Sequence, residues 1–258
     1  MTRRLLIGVV GVVVVVVAAV AFFLFRAPQE ASAPIEAIPL ATTAPAPTAA
    51  PAAEPTAAPA AEPTAAPAAE PTAAPASAAA PVLFEITQDG SEARFLIDEV
   101  LRGSPVTVVG TTNQVAGQLS IDPNDPTASQ VGTIQINART LATDNDFRNR
   151  AIKNAILRTD SFEFVTFTPT KITGLPTAGA VGESYTFQIE GDLTITDVTR
   201  PVTFEVTVTA VSNERVEGTA TTEILYRDFN LTIPDSPAVD TVADSVKLEL
   251  QFVALPAA

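Results

Sequence analysis

The sequence predicts an all-β fold, an antiparallel sheet wrapped round an interior. Three observations predict it. Apolar and polar residues alternate with period two in segment after segment beyond residue 82. Turn chemistry separates those segments, and nearly every one is apolar on one face only. One apolar and one polar face is the mark of an antiparallel sheet solvated on one side, closed into a barrel or a sandwich.

The segments can be read in order. Ala93, Phe95 and Ile97 alternate with Glu92 and Arg94, and Val115, Gly117, Leu119 and Ile121 alternate with Ala116, Gln118 and Ser120. Gly132, Ile134 and Ile136 form a third apolar row, and Tyr185, Phe187, Ile189, Gly191 and Leu193 a fourth. After a gap at Asp197–Arg200 the pattern resumes in Val202, Phe204, Val206 and Val208. Val216, Gly218, Ala220 and Ile224 follow, then Val246, Leu248, Leu250 and Phe252. Eight to ten strands result. Turns are expected at Gln88-Asp89-Gly90, at Asp122-Pro123-Asn124-Asp125-Pro126 and at Ser212-Asn213-Glu214. Small inward residues (Gly117, Gly132, Gly191, Gly218, Ala93, Ala220) suggest an interior with room in it, whereas Phe95, Phe187, Phe204 and Phe252 are large enough to fill that room.

One segment breaks the alternation. In Thr143–Arg158, Phe147, Ala151, Ile152, Ala155 and Ile156 stand at helical spacing. Thr143 or Asp144 is the expected cap, and Arg158 suits the C-terminal end. Arg148, Arg150 and Lys153 make this the basic cluster of an acidic chain, a solvated helix face or a contact for an anionic head group.

The first eighty residues are different. Leu5–Phe25 is an uncharged apolar run of the length that spans a bilayer. Arg3 and Arg4 before it place the N-terminus inside and the rest of the chain outside the cytoplasm. The rival reading is a cleavable signal, with Ala31-Ser32-Ala33 as its cleavage site and a secreted product, but the run is longer than a usual signal core. Residues 27–81 are a low-complexity spacer in which Pro-Thr-Ala-Ala-Pro-Ala-Ala-Glu starts at Pro47, Pro55 and Pro63. Proline at every fourth position opposes helix and favours a semi-rigid extended chain. It reads either as a stalk holding the domain away from the membrane or as a linker of no specific length. The organisation expected is therefore 1–26 anchor, 27–81 linker and 82–258 barrel domain.

Composition narrows the chemistry. The chain has no His, Cys or Trp and a formal charge of −14. Imidazole bases, Cys nucleophiles, Cys/His metal sites and disulfides are excluded, and an acidic domain repels nucleic acid. Asp144/Asp146 suit a helix N-terminus and Asp122/Asp125 a turn. The latter stretch has no Gly at the sixth position and no Glu at the twelfth, as a calcium loop would. No catalytic residue, metal or cofactor is expected. Asn230-Leu231-Thr232 matches a glycosylation sequon, a three-residue signal of low specificity.

"GDLTITDVTRPV", Gly191–Val202, resembles the signature hairpin of the YceI-like family. The flanking pieces agree in order: "FEITQDGSEARFLI", "VGTTNQVAGQLSID", "VGTIQINARTLATDN", the basic helix, "LRTDSFEFVTFTPTKITG" and a late "YRDFNL". The match covers about residues 83–255. The resemblance implies a lipocalin-like antiparallel β-barrel of about eight strands with one short amphipathic helix, and a long isoprenoid lipid or quinone as its ligand. It also implies that two copies can pair. The inward row Phe95, Ile97, Val115, Leu119, Ile134, Ile136, Phe187, Ile189, Leu193, Phe204, Val206, Val208, Leu248, Leu250 and Phe252 then becomes a set of ligand contacts, with Arg148, Arg150 and Lys153 for a head group. The alternative is a surface-displayed adhesion or envelope-stress module without a small ligand. Two departures from the family pattern stand out: Arg148-Asn149 replaces Arg-Asp, and Asp228-Phe229-Asn230 replaces Asp-Phe-Gly. Asn tolerates positive φ, so Asn230 is expected to keep the turn a glycine would make.

Overall fold

The structure, a computed structural model, describes residues 26–40 and 81–257. The expected anchor, Leu5–Phe25, and the repeats within 41–80 lie outside the described residues. Among the described residues no helix is long and apolar enough to cross a membrane.

The fold is all-β and antiparallel, with one short helix. Its strands are β1 (Val82–Leu101), β2 (Ser104–Thr112), β3 (Val115–Ala116), β4 (Gln118–Ile121), β5 (Gln130–Val131) and β6 (Ile134–Asn137). After the helical segment come β7 (Phe164–Thr173), β8 (Ser184–Ile195), β9 (Val198–Ser212), β10 (Arg215–Leu225), β11 (Val239–Val242) and β12 (Ser245–Pro256). Twelve strands exceed the eight to ten expected, because short strands are separated at glycines and because β2, β7 and β11 fall where no apolar row was read. Gly117 separates β3 from β4, and Gly132 stands between β5 and β6. The sheet order is β3-β6-β7-β8-β9-β10-β12-β1-β4-β5, with β2 and β11 also on β1. This half-barrel closes at a seam where β3 and β4 continue one another. Ile86 N–H donates to Gly117 O and Gly132 N–H to Gln118 O there. Farther along, Thr111 and Ala142 exchange two backbone hydrogen bonds.

Two turn expectations hold and one is corrected. Asp122 accepts from the amides of Asn124 and Asp125, and β9 turns into β10 after Ser212. At Gln88-Asp89-Gly90, however, β1 runs on without a turn. Its register with β12 shifts between Thr87 and Glu92, and Gly90 has φ 84°. The glycine forms a bulge, which bends a strand without ending it. The signature hairpin turns at Thr196-Asp197. Pro201 lies opposite Asp192 on β8, and β10 pairs with β9 only as far as Glu205. By the alternation of the antiparallel ladder, its nitrogen points to that unpaired side, where a missing donor costs little. Asn230 takes φ 54°, ψ 24°, as expected.

The inward glycines do not themselves leave room. A Cβ on Gly110, Gly191 or Gly218 would stand 2.2, 2.6 or 2.6 Å from a ring atom of Phe95, Phe167 or Phe252. At Gly117 it would meet Ile134, and at Gly132 the side chain of Leu40. Phenylalanine rings lie in the glycine positions, against the wall.

Residues 26–40 are not part of a free spacer. They lie along the barrel and over its seam. Arg26 pairs with Asp160, and its carbonyl accepts from Asn154 Nδ2. Ser32 donates from both N and Oγ to the Glu163 carboxylate. Ile35 is buried, and Leu40 N–H donates to Gln118 Oε1. Unlike the Ala-rich repeats, this stretch carries Ile35, Ile38 and Leu40, which have apolar surface to bury. Arg139 joins it to the body: it pairs with Glu163 at 2.9 Å and donates to the carbonyls of Thr159, Asp160 and Glu30.

The hydrogen bond from Arg26 holds the Asp160 carboxyl below its ordinary range. Burial pushes Glu163 up, but hydrogen bonds from Ser32 and Asn137 and the Arg139 charge outweigh it, so its pKa is also lowered. A depressed pKa contributes stability that is present above the ordinary carboxylate value and lost as pH falls through the lowered one. The protection of the Ser32 amide, its exchange rate taken relative to the intrinsic rate at each pH, should therefore be high at neutral pH and should fall on acidification below about pH 4. A second expectation concerns the rings. Gly218→Ala meets Thr207 O as well as Phe252, so it should cost about 1–3 kcal/mol in urea unfolding.

Candidate functional site

The barrel encloses a cavity of about 740 Å³. Its lining on β9 runs through alternate residues from Phe204 to Ser212. At about 3.3 Å per residue, that is about 26 Å along the strand. The walls are apolar, and the polar lining is sparse and gathered largely at the ends. Glu99 and Arg148 stand at one end, and Asp122, Ser129, Ser212 and Asn213 at the other.

Of the fifteen inward residues expected as ligand contacts, fourteen line this cavity. Phe95, Ile97, Leu119, Ile134 and Ile136 supply one part of the wall. Phe187, Ile189, Leu193, Phe204, Val206 and Val208 supply the β8–β9 side, and Leu248, Leu250 and Phe252 come from β12. Val115 is the exception. It is fully buried at the seam, among Phe84, Leu119 and Ile134, and does not line the cavity. Phe95, Phe187 and Phe204 face inward yet are only half-buried, so the interior is not filled by its own aromatics. Phe167, edge-on to Phe204 at 4.8 Å, and Val165 also line it and were missed. Their signal was the alternation of Val165 and Phe167 with Thr166 and Thr168, cut short by Pro169.

The helical segment covers one end. Helix α1 (Asp146–Ala151) passes into a wider π-helical turn over Ile152–Ile156. Asn145, not Thr143 or Asp144, caps it, accepting from the amides of Phe147 and Arg148. Thr143 instead donates from N and Oγ1 to Asn149 Oδ1, so the asparagine in place of the family's aspartate still ties down the segment's start. The widened turn breaks the 3.6 period. Ile152 and Ile156 line the cavity, while Phe147 is 68% exposed instead of sharing the apolar face. Arg158 lies beyond the helical segment at φ 48° and pairs with Asp197.

The three basic residues expected to act together do not. Arg148 reaches the cavity, but its charge is taken by Glu99 at 2.8 Å and Asp144 at 2.6 Å. Arg150 lies over the Phe147 ring, 5.7 Å from its centre. Lys153 is half-buried, and burial lowers its pKa. Neither Arg150 nor Lys153 lines the cavity. Asp122 and Asp125 are used in turn and cap hydrogen bonds.

A small antiparallel barrel with a long apolar cavity and polar groups at its ends is a container for an apolar molecule in its shape and lining. The comparisons give the family. A YceI-like domain model matches residues 84–254. The chain belongs to the YceI-like family. It is 27% identical over 171 residues to UPF0312 protein YE1254 of Yersinia enterocolitica, covering 64% of this chain and 84% of that protein. It is 26% identical over 178 residues to Protein YceI of Salmonella newport, covering 67% and 88%. Among solved structures, a polyisoprenoid binding domain from Saccharophagus degradans, implicated in plant cell wall breakdown, superposes with a TM-score of 0.56 at 14% identity, covering 68% of this chain and 99% of that one. BcnA of Burkholderia cenocepacia superposes with a TM-score of 0.53 at 19% identity, covering 65% and 98%. Both share the fold.

Glu99 is buried and is held by Arg148. Arg148→Ala should destabilise the domain by about 3 kcal/mol, because it strands a buried carboxylate. Adding Glu99→Leu should recover most of that loss in the same urea titration.

Proposed function

We propose that this protein binds a long apolar lipid of the isoprenoid class, a polyprenyl chain or an isoprenoid quinone, in its barrel. The observation that carries this reading is the apolar cavity of about 740 Å³ that runs the length of the sheet. A flexible hydrocarbon chain needs little more than such a wall, since burial contributes about 25 cal/mol per Å². The Saccharophagus degradans neighbour, which is named for polyisoprenoid binding, supports the ligand class. The protein acts by holding and passing on its ligand rather than by catalysis. Leu5–Phe25 anchors it, and the barrel works outside the cytoplasm, reading the apolar run and its preceding arginines as a single span.

The chain from Arg26 onward, purified without detergent, should carry a stoichiometric isoprenoid in native mass spectrometry and organic extraction. A protein that is empty and takes up neither polyprenol nor quinone would sink the reading. Gly110→Val offers an internal control. The three atoms nearest to a Cβ at Gly110 all belong to the Phe95 ring. The added side chain should drive that ring into the cavity and weaken binding at least tenfold while the domain still folds.

A further inference from the structure

The docked segment 26–40 bears on where the barrel works. The proposed span ends at Phe25, and the very next residue is held by the barrel. Arg26 O accepts from Asn154 Nδ2 at 2.9 Å, and its guanidinium pairs with Asp160. At most about 4 Å of backbone separates the last residue of the apolar run from this contact. Asn154 belongs to the π-helical turn that covers one end of the cavity, and Asp160 follows closely after it. The chain then continues over the seam through Glu30, Ser32 and Ile35 to Leu40 on β4.

The other end of the spacer is fixed as well. Pro81 precedes Val82, which pairs with Ile121 of β4. Leu40 is bound to Gln118 of the same strand. The two described residues that flank the repeats, Leu40 and Val82, therefore bind positions three residues apart on one strand, about 10 Å. A barrel held at Arg26 then has a distance to the membrane that repeat length does not set.

At the end of the barrel next to Arg26, the helical segment presents the exposed Phe147 with Arg150 over its ring. An aromatic with a neighbouring cation suits the boundary between acyl chains and anionic head groups. We propose that residues 26–40 are a strap that seats the helix-covered end of the barrel directly on the bilayer, with Phe147 and Arg150 against an anionic phospholipid surface. The helix-covered end of the cavity then faces the membrane that holds the chain, and ligand exchanges with that membrane when the helical segment shifts. This rests on the reading of Leu5–Phe25 as an anchor.

The test uses the full chain in vesicles of phosphatidylglycerol and phosphatidylcholine that contain a spin-labelled lipid quencher. The absence of native cysteine allows single fluorophores at Asp146→Cys, exposed beside Phe147, and at Asn213→Cys, on the far hairpin. The label at 146 should be strongly quenched and the label at 213 should not. A twelve-residue Gly/Ser insertion after Phe25 alters no residue of the strap; it should bring quenching at 146 down to the level at 213. Deletion of residues 47–70, three whole repeats, should change neither. Equal quenching at both sites in the unaltered chain would overturn the proposal, as would quenching that follows repeat length. Recovery of the chain outside the vesicle fraction, beginning after Ala33, would overturn the anchor reading and the seat with it. Differential quenching by a barrel that holds no lipid would support the seat and sink only the ligand reading.

Discussion

The structure depends on how its aromatic rings are stowed. A sheet curled this tightly brings inward side chains toward a common axis, and phenylalanines pointing there would fill it. Instead Phe95, Phe167 and Phe252 lie where Gly110, Gly191 and Gly218 have no side chain. Phe95 faces Gly110 and Phe252 faces Gly218 directly across their strand pairs. The rings cover the thinnest parts of the wall and leave the axis open. One substitution pattern thus serves both packing and cavity. Glycine weakens a strand unless something packs over it, and the ring does so.

Around that interior the remaining interactions set the two ends and the seam. Glu99 and Arg148 hold the helical segment over one end, and loops after β4 and β7 lie at the other. The seam lacks a continuous ladder. Arg139 and Glu163 gather the turn before β7 and segment 26–40 against it. A segment lying outside the sheet therefore binds to charged groups that also order the barrel, and its position is coupled to theirs.

Much of the wall was legible because a strand's period of two assigns each residue to one face. That rule placed fourteen of the fifteen expected contacts on the cavity wall with no knowledge of the pairing. It failed where the backbone departs from a straight strand. Val115 was assigned inward because alternation was carried across Gly117, where the chain changes partners from β6 to β1. The bulge at Gly90 looked like a turn because both need positive φ. The three cations do not converge on the cavity, because helical spacing groups residues by face, whereas the π-helical turn and the partners Glu99 and Phe147 disperse them. Segment 26–40 was hidden by composition: its prolines match those of the repeats, and only Ile35, Ile38 and Leu40 mark it as something that packs. The small inward residues pointed to the right conclusion for the wrong reason, since pattern alone does not show which ring covers which glycine.

The account stands on the cavity being the place where an isoprenoid lies. Photoaffinity labelling tests that most directly. A polyprenyl chain with a diazirine at its tail would be bound, illuminated and mapped by peptide mass spectrometry. The account predicts adducts on inward residues of β8, β9 and β12, among them Phe187, Phe204 and Leu250, and their suppression by unlabelled polyprenol. Adducts confined to the outer face of the sheet, or unaffected by competitor, would contradict it.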